Sequence, residues 1–278
     1  MELTNRSGAP IELDSESEHR YILGMRVDAL TLPRASERIV SWAERGESRY
    51  VCVASVHMVM EAFDSEPFRR IVNQADLVTP DGRPLLWTLD GLGVRSADQV
   101  RGTDLTVSVL EHAARRGVPV GLYGGTPELL DSFSEIARAR HPGIRIVSRI
   151  APPFRPLTAE EDELFTDELM NSGARIILVG IGCPKQERWM AAHKGRLPAV
   201  MIGVGAAFDF YTGRMRQAPR WMQKSGLEWT FRLASDPGRL WKRYARHNPR
   251  FLALCAMQLG RMPEATWHPA RRRHRSVG

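Results

Sequence analysis

Cysteine is scarce in this chain. The three residues (Cys52, Cys183 and Cys255 among 278) are odd in number and far apart, which indicates neither a disulfide framework nor a thiolate zinc cluster. A reducing compartment fits. Long apolar runs are missing as well. The stretch that begins at Phe251 reaches Leu259 only by admitting Gln258, against the roughly 20 residues of a membrane span. The first twenty residues are polar and acidic and lack the apolar core of a signal peptide. No GxGxxG and no Walker A loop occurs. There is no Asp-x-Asp motif, which argues against a nucleotide-diphosphate site built on a divalent cation. No internal repeat appears, and the only low-complexity stretch is the arginine run Arg271 to Arg275.

What is present is ordinary in amount and uneven in placement. Apolar content of 43% and charged content of 26% are those of a globular chain long enough for one large α/β domain or two smaller ones. The net charge of +7 hides a division: from Arg220 onward 13 Lys and Arg face three acidic residues, so residues 1–219 carry −3. Four of the seven tryptophans (Trp221, Trp229, Trp241, Trp267) share that basic segment. Basic charge mixed with aromatics and short apolar runs suggests an anionic membrane surface or another polyanion, and a solvated basic tail is the plainer reading of Arg271 to Arg275.

Up to Pro219 the pattern alternates. Strands are expected at Tyr50–Ala54, Leu77–Thr79, Val118–Tyr123, Ile144–Ile150, Arg175–Val179 and Val200–Val204. Amphipathic helices are expected at Ala35–Arg45, Met58–Phe63, Pro67–Gln74, Asp104–Arg116, Pro127–Arg140 and Ala159–Asn171, the last with Thr158 and Glu161 at capping-box spacing. Such alternation implies right-handed βαβ units, hence a Rossmann-like, mostly parallel sheet with helices on both faces. After Pro219 the rhythm stops. Arg220–Leu233 reads as one helix, and Ser235-Asp236-Pro237 caps another over Gly238–Tyr244. The expected organisation is a disordered segment (1–20), an α/β domain (21–219), a basic helical appendage (220–262) and a disordered basic tail (263–278).

Ligands of such sheets bind outside the carboxyl ends of the strands. Four of those ends are chemically loaded. Thr79-Pro80-Asp81-Gly82 presents a carboxylate suited to a general base, although an Asp-Gly pair more commonly serves its own turn. Gly124-Gly125 precedes Pro127 at a helix start. Gly182 precedes Pro184, Lys185, Gln186 and Glu187, where a strand, a tight turn and a helix N-terminus make an anion site. Gly203 and Gly205 precede Asp209, which is either a buried cap or a ligand contact. Thr103 and Asp104 read as a helix N-cap pair. His57 has no Cys, Asp or His at ligand spacing and reads as a packed histidine.

Taken in order, Pro80-Asp81-Gly82, Gly102-Thr103-Asp104, Gly124-Gly125, Gly180-x-Gly182-x-Pro184-Lys185-Gln186-Glu187, Gly203-x-Gly205-Ala206-x-Phe208-Asp209, Ala218-Pro219, Gly226-Leu227-Glu228-Trp229, Arg232 and Pro237-x-Arg239-Leu240 resemble the WecG/TagA/CpsF glycosyltransferases, from about Ile22 to Tyr244. The resemblance implies inverting transfer of a sugar from a UDP-sugar to a polyprenyl-diphosphate-linked sugar. The donors it implies are N-acetylmannosamine, its uronic acid or glucose, and the glycan an exopolysaccharide or other cell-envelope polymer. It implies no cofactor, no required metal and no nucleic acid, and leaves homo-oligomerisation open. It places the enzyme at the cytoplasmic face of the membrane, held there by the appendage. Asp81 matches the proposed base, and Arg232, Arg239 and Arg243 match arginines that engage the membrane and the acceptor diphosphate. Departing UDP would be met by guanidinium groups and backbone N–H groups. Three positions depart from the pattern: Ser55 stands for an asparagine, and Gln99 and Gln217 stand for arginines. Arg101 is the substitute candidate for the arginine missing at 99. The competing reading is a non-enzymatic α/β module whose basic tail holds nucleic acid; a nicotinamide-dependent reductase lacks its fingerprint.

Overall fold

The computed structural model describes residues 17–261, with the side chains of Lys224 and Arg239 excepted. The basic tail expected over 263–278 therefore lies outside the described residues. The chain opens on strands β1 (His19–Ile22) and β2 (Met25–Asp28), joined through Leu23 and Gly24, both at positive φ as a two-residue hairpin turn requires. Sequence patterning passed over this hairpin because its short strands carry as much charge as apolar surface. Its ordered chain also starts inside the segment expected to be disordered.

The βα rhythm then follows the sequence reading to within a few residues. In order come α1 (Leu32–Glu44), β3 (Arg49–Ala54), α2 (Val56–Asp64), α3 (Glu66–Asn73), β4 (Leu77–Pro80), α4 (Arg83–Gly91), α5 (Gly102–Arg116), β5 (Pro119–Tyr123), α6 (Pro127–Arg140) and β6 (Arg145–Ile150). Next are α7 (Ala159–Asn171), with its capping box between Thr158 and Glu161 formed, β7 (Ile176–Val179), α8 (Lys185–His193), β8 (Val200–Gly203) and α9 (Ala207–Tyr211). Helices α4 and α9 were not foreseen. The six strands β3–β8 form one all-parallel sheet in the order β4-β3-β8-β7-β5-β6.

Each face of the sheet carries its own core, as a parallel sheet covered on both sides demands. On β3, Tyr50, Cys52 and Ala54 join one apolar cluster, with α2, α3 and α4; Val51 and Val53 join the other, with α1, α5 and α6. The exposed edge of β4 is closed by β2: fully buried Asp28 accepts the Val78 N–H at 2.7 Å and is paired with Arg26 at 2.8 Å.

The C-terminal part differs from the sequence reading. The single helix expected over 220–233 is two, α10 (Arg220–Lys224) and α11 (Glu228–Ser235), broken at Gly226, whose φ is +76°. The helix expected to end near Tyr244 is α12 (Pro237–Gly260), which continues through Pro249. It continues because one face of its second half is anchored on the core. Phe251 and Cys255 enter the core, Arg250 pairs bidentately with Asp64 at 2.6 Å, and Gln258 bonds both Leu23 N–H and Tyr21 carbonyl. Among the described residues no helix is long and apolar enough to cross a membrane.

Candidate active site

The parallel register brings every loaded strand end to one edge. Ladder hydrogen bonds continue one residue past the strands: Asp81 N–H to Ala54 carbonyl (2.8 Å), Val204 N–H to Val179 carbonyl (2.9 Å) and Gly180 N–H to Tyr123 carbonyl (2.8 Å). The turns after β4, β8, β7 and β5 are thus held in a row, as strand-end ligand sites require.

Asp81 is the centre of charge in this row. Its backbone is fixed from both sides, since Gln99 donates to its carbonyl at 2.6 Å and Val100 N–H bonds the Pro80 carbonyl at 2.8 Å. Its carboxyl is pushed up from 3.8 to about 7, first by burial and then by the negative charge of Glu228; Arg232, Arg101 and the Gly102 N–H pull the other way. A carboxyl titrating near neutrality is what a general base needs, ionised often enough to act and basic enough to take a proton. Glu228 and Arg232 belong to α11, so the appendage reaches the sheet edge and completes the surroundings of Asp81.

Arg101, the candidate substitute for the arginine absent at 99, lies in the surroundings of Asp81. It holds Asp104 through two bonds of 2.7 and 2.9 Å, lies 3.9 Å from Glu228, and acts on Asp81, while Gln99 serves the Asp81 backbone. The pair Thr103–Asp104 is not the cap the sequence suggested. Arg101 occupies the N-cap position, the helix starts at Gly102, and Asp104 sits in its first turn. The residue ahead of the helix is extended because the chain there is tied to Pro80 and Asp81.

The PKQE segment divides into two jobs. Gln186, almost fully buried, accepts the N–H groups of Gly182 and Gly205, each at 3.2 Å, and donates to Glu187 at 2.7 Å. It therefore clamps the loops after β7 and β8 together, and those two N–H groups are spent on it rather than offered to a phosphate. Glu187 is fully buried, and burial raises its carboxyl. Positive φ at Gly182 (+83°) suits only glycine, and a side chain there would point into open space, leaving the backbone approachable. Gly124 is the opposite case: at φ +121°, an added Cβ would lie 2.7 Å from the Gly180 backbone. Exposed Lys185, with Gly125, Gly180, Tyr123, Trp189 and the 152–159 loop, lines a cavity of about 480 Å³ beside β5 and β7. Asp81 is not part of that lining.

Arg232 lies over the Phe210 ring at 5.4 Å and Arg243 over Tyr244 at 5.2 Å; the Nε of each is buried without a hydrogen-bond partner. Arg83, at the start of α4 beneath Gly226, has the same buried, unpartnered Nε, and nothing in its sequence context distinguished it. Arg239 lies in the first turn of α12, its side chain outside the described residues. Asp209 is the third residue of α9 and half-buried, its carbonyl accepting the Met215 N–H. Ser55 is the N-cap of α2 without a side-chain cap bond, and Gln217 is exposed.

A buried carboxyl raised toward neutrality, a cavity walled by Tyr123, Trp189 and the 152–159 loop, and arginines whose Nε atoms lack partners lie along one sheet edge, a set of groups suited to stabilising an anionic leaving group. The profile of the WecG/TagA/CpsF glycosyl transferase family matches residues 20–264, and the chain belongs to that family, whose members are glycosyltransferases of cell-envelope glycan synthesis.

Proposed function

We propose that the protein transfers a sugar from a UDP-sugar to a polyprenyl-diphosphate-linked sugar with inversion, Asp81 acting as general base. The observation that carries this reading is Asp81 fixed at the carboxyl edge of the sheet by Gln99 and Ala54, with Glu228, Arg232 and Arg101 about it; burial and Glu228 raise its carboxyl to about 7. In the step, the acceptor hydroxyl oxygen bonds to the anomeric carbon, its proton passes to Asp81, and the bond from that carbon to the UDP oxygen breaks with its electron pair. A single displacement inverts the centre.

The separation of cavity and base supports a nucleotide-sugar as donor. From β7 to β4 is three strand spacings, about 14 Å at ~4.8 Å each. That distance suits an extended nucleotide-sugar, with its nucleotide in the cavity and its sugar near Asp81. Lys185 lines the cavity, and Arg83, Arg232 and Arg243 each carry an Nε without a protein partner, a donor suited to diphosphate oxygens. The exposed side chains of Trp221, Trp229 and Trp241, with Trp87 beside Gly226, supply amphipathic rings of the kind that sit at a lipid headgroup layer. With the basic charge around them they suit the anionic inner face of the cell membrane, where a lipid-linked acceptor is held.

The test is incubation with UDP-N-acetylmannosamine, its uronic acid and UDP-glucose, each with a short-chain polyprenyl-diphosphate glycan, read by product mass. One donor is expected to add the mass of a single residue of its own sugar in wild type and not in Asp81→Asn. Equal turnover by that variant refutes the assignment.

A further inference from the structure

Beside the Asp81 edge, where α2 follows the Ala54 that bonds Asp81 N–H, α12 packs on α2, and the meeting point is polar where helix packing is ordinarily apolar. His57 and Glu61 are four apart on α2 and so share a face; His247 comes from α12. His57 Nδ1 is 3.8 Å from one Glu61 oxygen, and His247 Nε2 is 4.0 Å from the same oxygen. Both distances are too long for hydrogen bonds. The rings stand 5.2 Å apart, and one donor atom from each of the three side chains lies within 4.8 Å of the other two. His247 is 6% exposed, and the Nδ1 atoms of both histidines are buried with no hydrogen-bond partner. Buried polar nitrogens are nearly always partnered; His57 Nδ1, the nitrogen that faces Glu61, lacks a partner that a cation beside Glu61 would supply, whereas His247 faces Glu61 through Nε2 and its Nδ1 is not a ligand atom.

We propose that His57, Glu61 and His247 bind one divalent d-block cation, Zn²⁺ being the reference ion, and that the ion fastens α12 to α2. Two imidazoles and a carboxylate are a zinc-type ligand set, with water to fill the fourth position. Metal–ligand bonds of about 2.1 Å in a tetrahedron put ligand atoms about 3.4 Å apart, so His57 and His247 each need to close on Glu61 by roughly half an ångström, and the two histidine nitrogens, within 4.8 Å of each other, by up to about 1.4 Å. Side-chain rotation supplies that. Arg243 and Arg246 face the histidines and oppose a cation; Glu61 favours it, and nearby Asp64 is committed to Arg250. The ion is structural, and no step of sugar transfer passes through it. Its effect is to set how α12 lies on the core, and with it α11, whose Glu228 and Arg232 surround Asp81. The binding site itself does not depend on the proposed reaction.

The experiment uses the full chain, stripped with chelator and titrated with Zn²⁺ by calorimetry and with Co²⁺ by visible absorption. Wild type is expected to bind one equivalent of Zn²⁺, to show Co²⁺ ligand-field bands without a thiolate charge-transfer band, and to unfold at a higher temperature when loaded. His247→Asn and Glu61→Gln are each expected to weaken binding at least tenfold, since loss of a group that merely supports a ligand already costs about 10–100-fold. Glu61 is partly exposed, so its variant keeps the test available if His247→Asn folds poorly. Absence of an equimolar site in wild type overturns the proposal. So does a thiolate band, or unchanged affinity in a folded variant.

Discussion

Replacing Glu228 with glutamine should move the acidic limb of the pH–activity profile. Raising the Asp81 carboxyl from 3.8 to about 7 corresponds to about 4 kcal/mol against its ionised form. Burial is the largest cause and the Glu228 charge the second. The reactive base is the carboxylate, so kcat/KM in wild type should rise with pH through about 7. About a tenth of the plateau should remain at pH 6 and about nine-tenths at pH 8. Removing one negative neighbour across a partly buried site is worth on the order of one pKa unit. The change also leaves Arg101, 3.9 Å from Glu228, free to act more strongly on Asp81, and with the same sign. In Glu228→Gln the fraction of plateau activity retained at pH 6 should therefore rise to about a half. The assay is initial-rate sugar transfer from pH 5 to 9, each variant normalised to its own plateau. A wild-type limb below pH 5, or a limb that Glu228→Gln leaves in place, refutes the electrostatic account.

Five further outcomes are expected. Asp81→Asn should lose transfer by about 10²–10⁴-fold while remaining folded by circular dichroism. Because its folded carboxyl titrates above its unfolded value, wild type should lose stability as pH rises through about 7, and thermal melts of Asp81→Asn should show a shallower loss. Gln186→Leu strands the N–H groups of Gly182 and Gly205, at about 1–3 kcal/mol each if buried, and donor affinity by calorimetry should fall with melting temperature. Gly124→Ala, which combines positive φ with a Cβ 2.7 Å from Gly180, should cost about 1–3 kcal/mol by denaturant unfolding; a neutral result contradicts the crowded turn. Replacing Trp221, Trp229 and Trp241 together by serine should release the protein from anionic phospholipid vesicles in flotation. This is a cleaner test than deleting residues 220–278, because Phe251 and Cys255 of α12 belong to the core. Unchanged flotation counts against the membrane-facing reading.

The sequence alone determined the local pieces. Burial on both faces writes apolar runs into parallel strands, so all six appeared within a residue or two of their ends. The Thr158–Glu161 box and the prolines at helix starts are equally local, and Asp81 and the PKQE block stood out because such residues at strand ends serve no packing need. Tertiary structure decided what no short window encodes. Strand order is set by pairing between segments far apart in the chain, and that order puts Asp81 three strands from the cavity. Gln186 looked like a ligand contact, but its depth of burial and its two loop N–H partners make it a clamp. The break at Gly226 turned one expected helix into two, and the second carries Glu228 and Arg232 to Asp81. His57 looked like a packed histidine because its neighbour His247 arrives from the far end of the chain, carried by a helix whose length depends on core contacts its own sequence does not contain.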